Sequence, residues 1–171
     1  MIKISDKIIK ISVIGGSKVG SDIYKLAYEV GKEIAKSGAV LVCGGLAGVM
    51  EACCRGAKKE GGLTIGILPS EEENTANKYV DIKIPTGFGY ARNVPIVLAG
   101  HAIIAIDGSF GTLSEIGYSL TYNKPIIGLK TWKAQPCDNK DMPFIIRVET
   151  AKEAVKIAMR EAKKYIKGLR G

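Results

Sequence analysis

The segment from Arg92 to Glu115 carries the side chains best suited to chemistry. It places an arginine and an acid on either side of a glycine-rich turn, Gly108-Ser109-Phe110-Gly111-Thr112. The turn follows an apolar run, residues 102–106, and precedes a helical pattern. Glycines let the backbone approach a ligand closely, and a helix N-terminus offers free N–H groups and a favourable dipole to an anion. The segment is therefore predicted to bind a phosphate, with Glu115 in the first turn of the new helix.

The types of Arg92 and Glu115 leave more than one role open. Arg92 can pair with a phosphate or carboxylate through two parallel hydrogen bonds, or it can form a surface or intersubunit ion pair. Glu115 can serve a ligand, act as a plain charge near the helix N-terminus, or complete a capping box with Thr112. Thr112 can cap the helix and still donate a hydrogen bond to a phosphate.

Two further glycine-bearing turns follow strand-like runs. They are Gly15-Gly16-Ser17 and Gly44-Gly45-Leu46-Ala47-Gly48. In a parallel sheet all three turns lie at one edge, beyond the carboxyl ends of the strands, where ligands bind in such folds. The first turn lacks the dinucleotide fingerprint, the second strand ends in Cys43 rather than an acid, and no P-loop pattern is present. These absences argue against NAD binding and ATP hydrolysis.

Aromatic and polar residues around these turns are secondary candidates. Tyr90, Phe88 and Phe110 can stack on a base or pack the loops. Asp107 can orient a ligand hydroxyl or cap the turn, while His101 and Trp132 are expected to have structural roles.

The order of patterns predicts one Rossmann-like α/β domain over residues 1–171, with a parallel six- to seven-stranded sheet and helices on both faces. Apolar, β-branched runs alternate with segments of helical period. The predicted strands are residues 8–14, 40–43, 63–68, 80–84, 102–106, 125–129 and 144–148. The predicted helices are residues 21–37, 48–60, 91–100, 113–122 and 150–169. Residues 70–79 are interpreted as an acidic, mobile loop and residues 130–143 as irregular.

Composition narrows the class of protein. The chain of 171 residues is 46% hydrophobic with mean hydropathy +0.11, which is typical of a folded domain. No apolar run spans a membrane and no signal peptide is visible, so a cytoplasmic location and no membrane partner are predicted. Much of the net charge of +8 lies in the C-terminal segment, interpreted as a solvated helix face rather than a nucleic-acid interface.

The four cysteines predict no metal site. Cys43, Cys53, Cys54 and Cys137 form no C-x-x-C pair, and the sequence has one histidine. They are interpreted as reduced thiols of the core or surface, with Cys53 and Cys54 pointing in different directions.

The motifs resemble those of the LOG family, the cytokinin-activating phosphoribohydrolases often mislabelled lysine decarboxylases. The family's P-G-G-x-G-T-x-x-E corresponds to the nine residues from Asp107 to Glu115, and its upstream arginine to Arg92. Its G-G-x-x-G-L-M turn corresponds to the seven residues from Gly44 to Met50. The similarity runs from Ile11 to about Leu129. It extends to the related molybdenum cofactor carrier proteins and, distantly, to the DNA-processing Rossmann proteins.

This resemblance implies a homodimer that binds a nucleoside 5′-monophosphate at its glycine-rich turns. Arg92 and Glu115 would be the catalytic pair that hydrolyses the N-glycosidic bond to free base and ribose 5-phosphate, without a catalytic cofactor. The implied binding residues are Gly15, Gly16, Ser17, Gly44, Gly45, Gly108, Ser109, Phe110, Gly111 and Thr112. Nothing marks a pyridoxal phosphate site, so lysine decarboxylation is not predicted.

Three positions depart from the enzymes of the family. Asp107 replaces the family's proline, Ser109 replaces its second glycine, and Arg92-Asn93 replaces the usual Arg-Lys. The last pair is closer to the carrier branch. The alternative hypothesis is therefore a non-catalytic protein that binds the molybdenum (pterin) cofactor.

Overall fold

The computed structural model describes residues 8–134 and 144–168, in which strands and helices alternate along the chain. The strands are β1 (Lys10–Gly15), β2 (Val40–Cys43), β3 (Thr64–Leu68), β4 (Ile82–Pro85), β5 (Ala102–Ile106), β6 (Ile126–Leu129) and β7 (Ile146–Arg147). The α-helices are α1 (Ser21–Lys36), α2 (Val49–Lys59), α3 (Asn93–Ala99), α4 (Phe110–Thr121) and α5 (Ala151–Gly168). Short 3-10 helices cover Glu73–Thr75 and Gly89–Arg92.

All seven strands form one parallel sheet, in the order β4-β3-β2-β1-β5-β6-β7. The chain builds outward from β1 to β4, crosses the sheet, and then builds outward in the other direction from β5. The strand order therefore reverses between β1 and β5, which is where doubly wound sheets bind ligands. The predicted Rossmann-like fold is confirmed.

Helices cover both faces of the sheet, as a parallel sheet requires. On one face α1, α2 and α5 pack over a core that includes Ile11, Leu41 and Ile104. On the other face α3 and α4 pack over Ile14, Ile103 and Ile126. The apolar strand runs are buried on both sides, which explains why they read as continuous rather than alternating patterns.

Several predicted boundaries were wrong near the site. Helix α4 begins at Phe110 rather than residue 113, so Phe110, Gly111 and Thr112 form its first turn. Glu115 consequently lies in the second turn, and Ser109 rather than Thr112 is the N-cap residue, so the proposed capping box does not form. The predicted helix 91–100 divides into the 3-10 turn Gly89–Arg92 and helix α3.

The acidic loop, residues 70–79, contains a short 3-10 turn and makes specific contacts. Ser70 Oγ and Thr75 Oγ1 lie 2.6 Å apart within hydrogen-bonding distance. Asn77 Nδ2 donates to the carbonyls of Gly45 and Leu46. The loop is therefore tied to the turn after β2.

The basic side chains of α5, from Lys152 to Lys167, are exposed, as expected of a solvated helix face. Residues 135–143 of the predicted irregular segment lie outside the described residues, as do Cys137 and the predicted helix end at Leu169. Within the described ranges, no helix is long and apolar enough to span a bilayer.

Candidate functional site

A cavity of about 560 Å³ lies at the carboxyl ends of β1, β2 and β5, beside the reversal of strand order. Nine of the twelve site residues expected from the sequence line it: Gly15, Ser17, Gly44, Arg92, Ser109, Phe110, Gly111, Thr112 and Glu115. All three glycine-bearing turns therefore contribute to the lining of this one cavity.

The other three predicted residues, Gly16, Gly45 and Gly108, do not line the cavity but lie within the same turns. A Cβ on Gly45 would lie 2.5 Å from the Leu68 side chain, and one on Gly108 would lie 2.4 Å from Thr112. Gly16 accepts a hydrogen bond from Val49 N at 2.9 Å, which joins the first turn to the start of α2. A side chain therefore has no room at Gly45 or Gly108, and Gly16 connects the first turn to α2.

The N-terminus of α4 presents its free donors to the cavity. The N–H groups of Phe110, Gly111 and Thr112 occupy the first helical positions, which have no acceptor within a helix. Ser109 makes no side-chain cap, and Ser109 to Thr112 all line the cavity. Unused donors and the positive end of the helix dipole make this a place for an anion.

Arg92 is a buried cation with an incomplete set of partners. Its side chain is 7% exposed, and its Nε atom has no hydrogen-bond acceptor in the described part of the chain. Its guanidinium packs on Gly44, where a Cβ would lie 2.8 Å from Nη2. Burial lowers the pKa of Arg92, and the nearby charge of Glu115 opposes that shift. A buried arginine with an unused hydrogen-bond donor favours the binding of an anion.

Glu115 faces the same cavity from α4 and is also 7% exposed. Burial raises the pKa of its carboxyl from 4.5 to about 8, against the lowering influence of Arg92. Among the described residues no hydrogen bond or ion pair joins the Glu115 carboxyl to the Arg92 guanidinium. The two groups are thus held near each other but separately, with the cavity available to both.

Asn93 ties Arg92 to the start of α4. It is 2% exposed, accepts a hydrogen bond from Arg92 Nη1, and donates from Nδ2 to Ser114 Oγ at 3.0 Å. Ser114 Oγ donates in turn to the Gly111 carbonyl at 2.7 Å. One chain of hydrogen bonds therefore sets the position of the arginine relative to the helix N-terminus.

Aromatic side chains stand at the mouth of the cavity. Tyr90 and Phe110 line it and are 84% and 79% exposed. The Phe110 ring lies 5.9 Å from that of Trp132, whose Nε1 donates to the Ser109 carbonyl. Trp132 therefore anchors its segment, as expected, while Tyr90 and Phe110 are free to stack on a planar group. Phe88 is exposed and does not line the cavity.

Asp107 and His101 take structural positions. Asp107 has a left-handed backbone, with φ of 50°, and its carbonyl accepts a hydrogen bond from Thr131 Oγ1. It does not line the cavity, so its negative charge is not part of the wall that faces an anion. His101 Nδ1 accepts a hydrogen bond from Lys10 N at the opposite end of β1.

Sequence reasoning did not propose Val13, Ile14, Leu46, Met50, Asn93 and Ser114 as lining residues, and all six line the cavity. Asn93 could have been proposed from the sequence, because it directly follows the candidate residue Arg92. The prediction that Cys53 and Cys54 point in different directions was wrong: both sulfurs converge on that of Cys43.

The chain is similar to a known protein family and to named proteins. The profile of the SLOG cluster4 family matches residues 8–160. A cytokinin riboside 5′-monophosphate phosphoribohydrolase of Mycobacterium tuberculosis is 32% identical over 68% of this chain and 67% of its own.

Two solved structures are similar over almost their whole length. The molybdenum cofactor binding protein of Rippkaea orientalis is 34% identical, with a TM-score of 0.81 over 91% of this chain and 98% of its own. The molybdenum cofactor carrier protein of Chlamydomonas reinhardtii is 31% identical, with a TM-score of 0.79 over 92% and 99%.

Proposed function

Because the chain belongs to the SLOG cluster4 family and is similar to a phosphoribohydrolase, we propose that it binds a nucleoside 5′-monophosphate in this cavity and hydrolyses its N-glycosidic bond. The observation that carries the proposal is the buried Arg92, whose Nε lacks an acceptor, beside the unused N–H donors of α4. Both features favour a phosphate. No other strongly basic side chain lines the cavity in the described ranges.

The ligand would occupy the cavity in two parts. The N-terminus of α4 and Arg92 would hold the phosphate, through helix donors and charge-assisted hydrogen bonds. The base would lie toward the exposed rings of Tyr90 and Phe110, which offer faces for stacking. In this arrangement the ribose, and its bond to the base, would lie near Glu115.

Glu115 suits acid–base work at this bond. With its pKa raised to about 8, its carboxyl keeps a proton at neutral pH in the free protein. It can donate that proton to the base as the C–N bond breaks. The carboxylate that remains can stabilise the oxocarbenium-like ribose and accept a proton from the water that forms the new C–O bond. The products are the free base and ribose 5-phosphate.

The test is the release of ribose 5-phosphate from AMP and other nucleoside monophosphates by the purified protein. The wild-type protein is expected to release it, and Glu115→Gln to lose at least about 100-fold in kcat. Glu72→Gln is the matched control, because Glu72 is exposed in the loop 70–79 and remote from the cavity lining. Absence of release by the wild-type protein, or equal release by Glu115→Gln, would reject hydrolysis.

A second candidate function is the binding of molybdenum cofactor as cargo, without catalysis. The observation that favours it is the near-complete match to two cofactor-binding proteins at 31% and 34% identity, together with Asp107, Ser109 and Asn93 in the motifs. The residues present fit a phosphorylated pterin, because the donors of α4 suit its phosphate and the aromatic rings suit its planar ring system.

Calorimetry with isolated molybdenum cofactor separates the two functions. A carrier is expected to bind the cofactor whether residue 115 is Glu or Gln, since the phosphate contacts remain. Replacement of Arg92 by Met would weaken binding in either case. A protein that binds cofactor and releases no ribose 5-phosphate is a carrier, and one that binds neither class of ligand contradicts both proposals.

A further inference from the structure

Three buried cysteine thiols meet next to the cavity. Cys43 ends β2, and Cys53 and Cys54 lie on α2, each with no exposed surface. Their three sulfur atoms lie within 4.8 Å of one another, and Cys43 Sγ is 3.5 Å from Cys54 Sγ. We propose that these three thiols form a binding site for one soft, three-coordinate metal ion, Cu(I). This proposal does not depend on the function proposed above.

The spacing of the sulfurs fits such an ion. With metal–sulfur bonds of about 2.3 Å, three sulfurs around a trigonal ion lie about 4.0 Å apart. One pair of sulfurs in the structure is 3.5 Å apart and no pair is more than 4.8 Å apart, so all three separations lie within about 1 Å of that value or below it. Binding therefore requires only small side-chain adjustments.

The coordination number favours Cu(I) over zinc. Structural zinc sites are almost always four-coordinate, and the group in the described residues supplies three cysteines with no fourth His, Cys, Asp or Glu ligand. Thiolates are soft ligands, which select soft ions such as Cu(I) and disfavour magnesium or calcium. A three-sulfur site in a dry interior thus matches a soft ion of low coordination number.

Polar groups also lie next to Cys43. Gly45 N donates to Cys43 Sγ at 3.3 Å, and the guanidinium of Arg92 packs on Gly44, the next residue in the chain. Thiolate is the form that binds metal, and each thiol that binds releases its proton to solvent.

The site lies beside the cavity in a tightly packed part of the core. Helix α2 presses on α1 at Cys53, whose carbonyl oxygen lies only 1.9 Å from where a Cβ on Gly31 would stand. Met50 lines the cavity, and its carbonyl accepts a hydrogen bond from the Cys53 thiol at 3.2 Å. Met50 therefore lies between the cavity and the cysteine cluster.

The experiment is an anaerobic titration of the reduced, full-length protein with Cu(I), in competition with a Cu(I) chelator such as bicinchoninate. The background is Cys137→Ser, which leaves the three clustered cysteines as the only thiols in the sequence. We expect one Cu(I) per chain, with three sulfur neighbours in X-ray absorption. Cys43→Ala and Cys54→Ala are each expected to weaken binding by at least 100-fold.

Three results would overturn the proposal. They are no binding by the Cys137→Ser protein, unchanged affinity in Cys43→Ala, and displacement of the bound Cu(I) by an equal concentration of Zn(II). Because alanine variants of core residues can fail to fold, thermal unfolding of the Cys137→Ser protein with and without Cu(I) gives an independent test. An ion held by the folded cluster raises Tm. Binding that leaves Tm unchanged would assign the ion to another place.

Discussion

At the scale of single residues, the site depends on Glu115 and Arg92 being buried without being paired to each other. Desolvation acts on both, raising the pKa of the acid to about 8 and lowering that of the base. A direct ion pair would have pulled the acid in the opposite direction. The free site therefore holds one neutral acid and one cation with unused hydrogen-bonding capacity, which suits a ligand that brings its own negative charge.

Glu115 should also leave a signature in the pH dependence of stability. The folded protein holds a proton that the unfolded chain loses above about pH 4.5, so the free energy of unfolding falls as pH rises from there to about 8. Glu115→Gln removes this titration. The variant should gain stability relative to wild type by up to about 4 kcal/mol between about pH 5 and pH 8. Urea denaturation across that range measures the difference.

The control for this titration is Glu72→Gln, because Glu72 is exposed and offers a free carboxyl of the same type. Its stability should follow the wild-type curve at every pH. A constant offset between Glu115→Gln and wild type over the whole range would show that Glu115 titrates normally.

At the scale of elements, the turns at the carboxyl ends of the strands are fixed by close backbone approach. Gly48 has φ of 67°, and a Cβ there would lie 2.3 Å from the Gly16 carbonyl oxygen. The second turn is thereby locked against the first, and both face the cavity. Glycine at this position serves two needs at once, a left-handed backbone and the absence of a side chain.

Gly48→Ala should therefore lower the free energy of unfolding by more than the strain of the left-handed backbone alone. Gly61 is the matched control, because it has φ of 72° but open space where its Cβ would stand. Gly61→Ala should lose about 1–2 kcal/mol of unfolding free energy from strain. Gly48→Ala should lose at least about 2 kcal/mol more, because backbone atoms must move. Equal losses in thermal or urea unfolding would show that the contact relaxes at no cost.

The elements also show which parts of the structure the sequence could predict. The strands and their alternation with helices along the chain could be predicted because buried parallel strands are short apolar runs between glycine-bearing turns. The start of α4 was placed too late because Gly111 and Ser109 resemble turn residues, and Glu115 was therefore assigned to the wrong turn. The Asn93 hydrogen bonds and the meeting of Cys43 with Cys53 and Cys54 depend on packing between elements distant in sequence, which local patterns do not contain.

At the scale of the whole molecule, the α3–α4 face presents unusual apolar surface. Leu98 on α3, Tyr118 on α4 and Tyr122, which caps the C-terminus of α4, are 47%, 38% and 43% exposed. Tyr118 and Tyr122 are four residues apart and so lie on one side of α4. The homodimer implied by the family resemblance would bury such a face, and we expect these tyrosines to lie in its interface.

Light scattering after size-exclusion chromatography tests this assembly. The wild-type protein should have the mass of a dimer, and Tyr118→Asp combined with Tyr122→Asp should have that of a monomer. Ile82→Asp combined with Ile84→Asp is the control, because these residues are similarly exposed on the edge strand β4. A monomeric wild type, or dissociation by the β4 pair alone, would contradict the assignment.

The incomplete hydrogen bonding of Arg92 links the amount of this protein in a cell to the availability of its ligand. An anion that satisfies this guanidinium binds the folded state and not the unfolded chain, so it makes unfolding rarer. Proteases act mainly on chains that have opened. Molecules that hold ligand should then outlast empty ones, and the steady-state amount of this protein should rise and fall with the supply of what it binds.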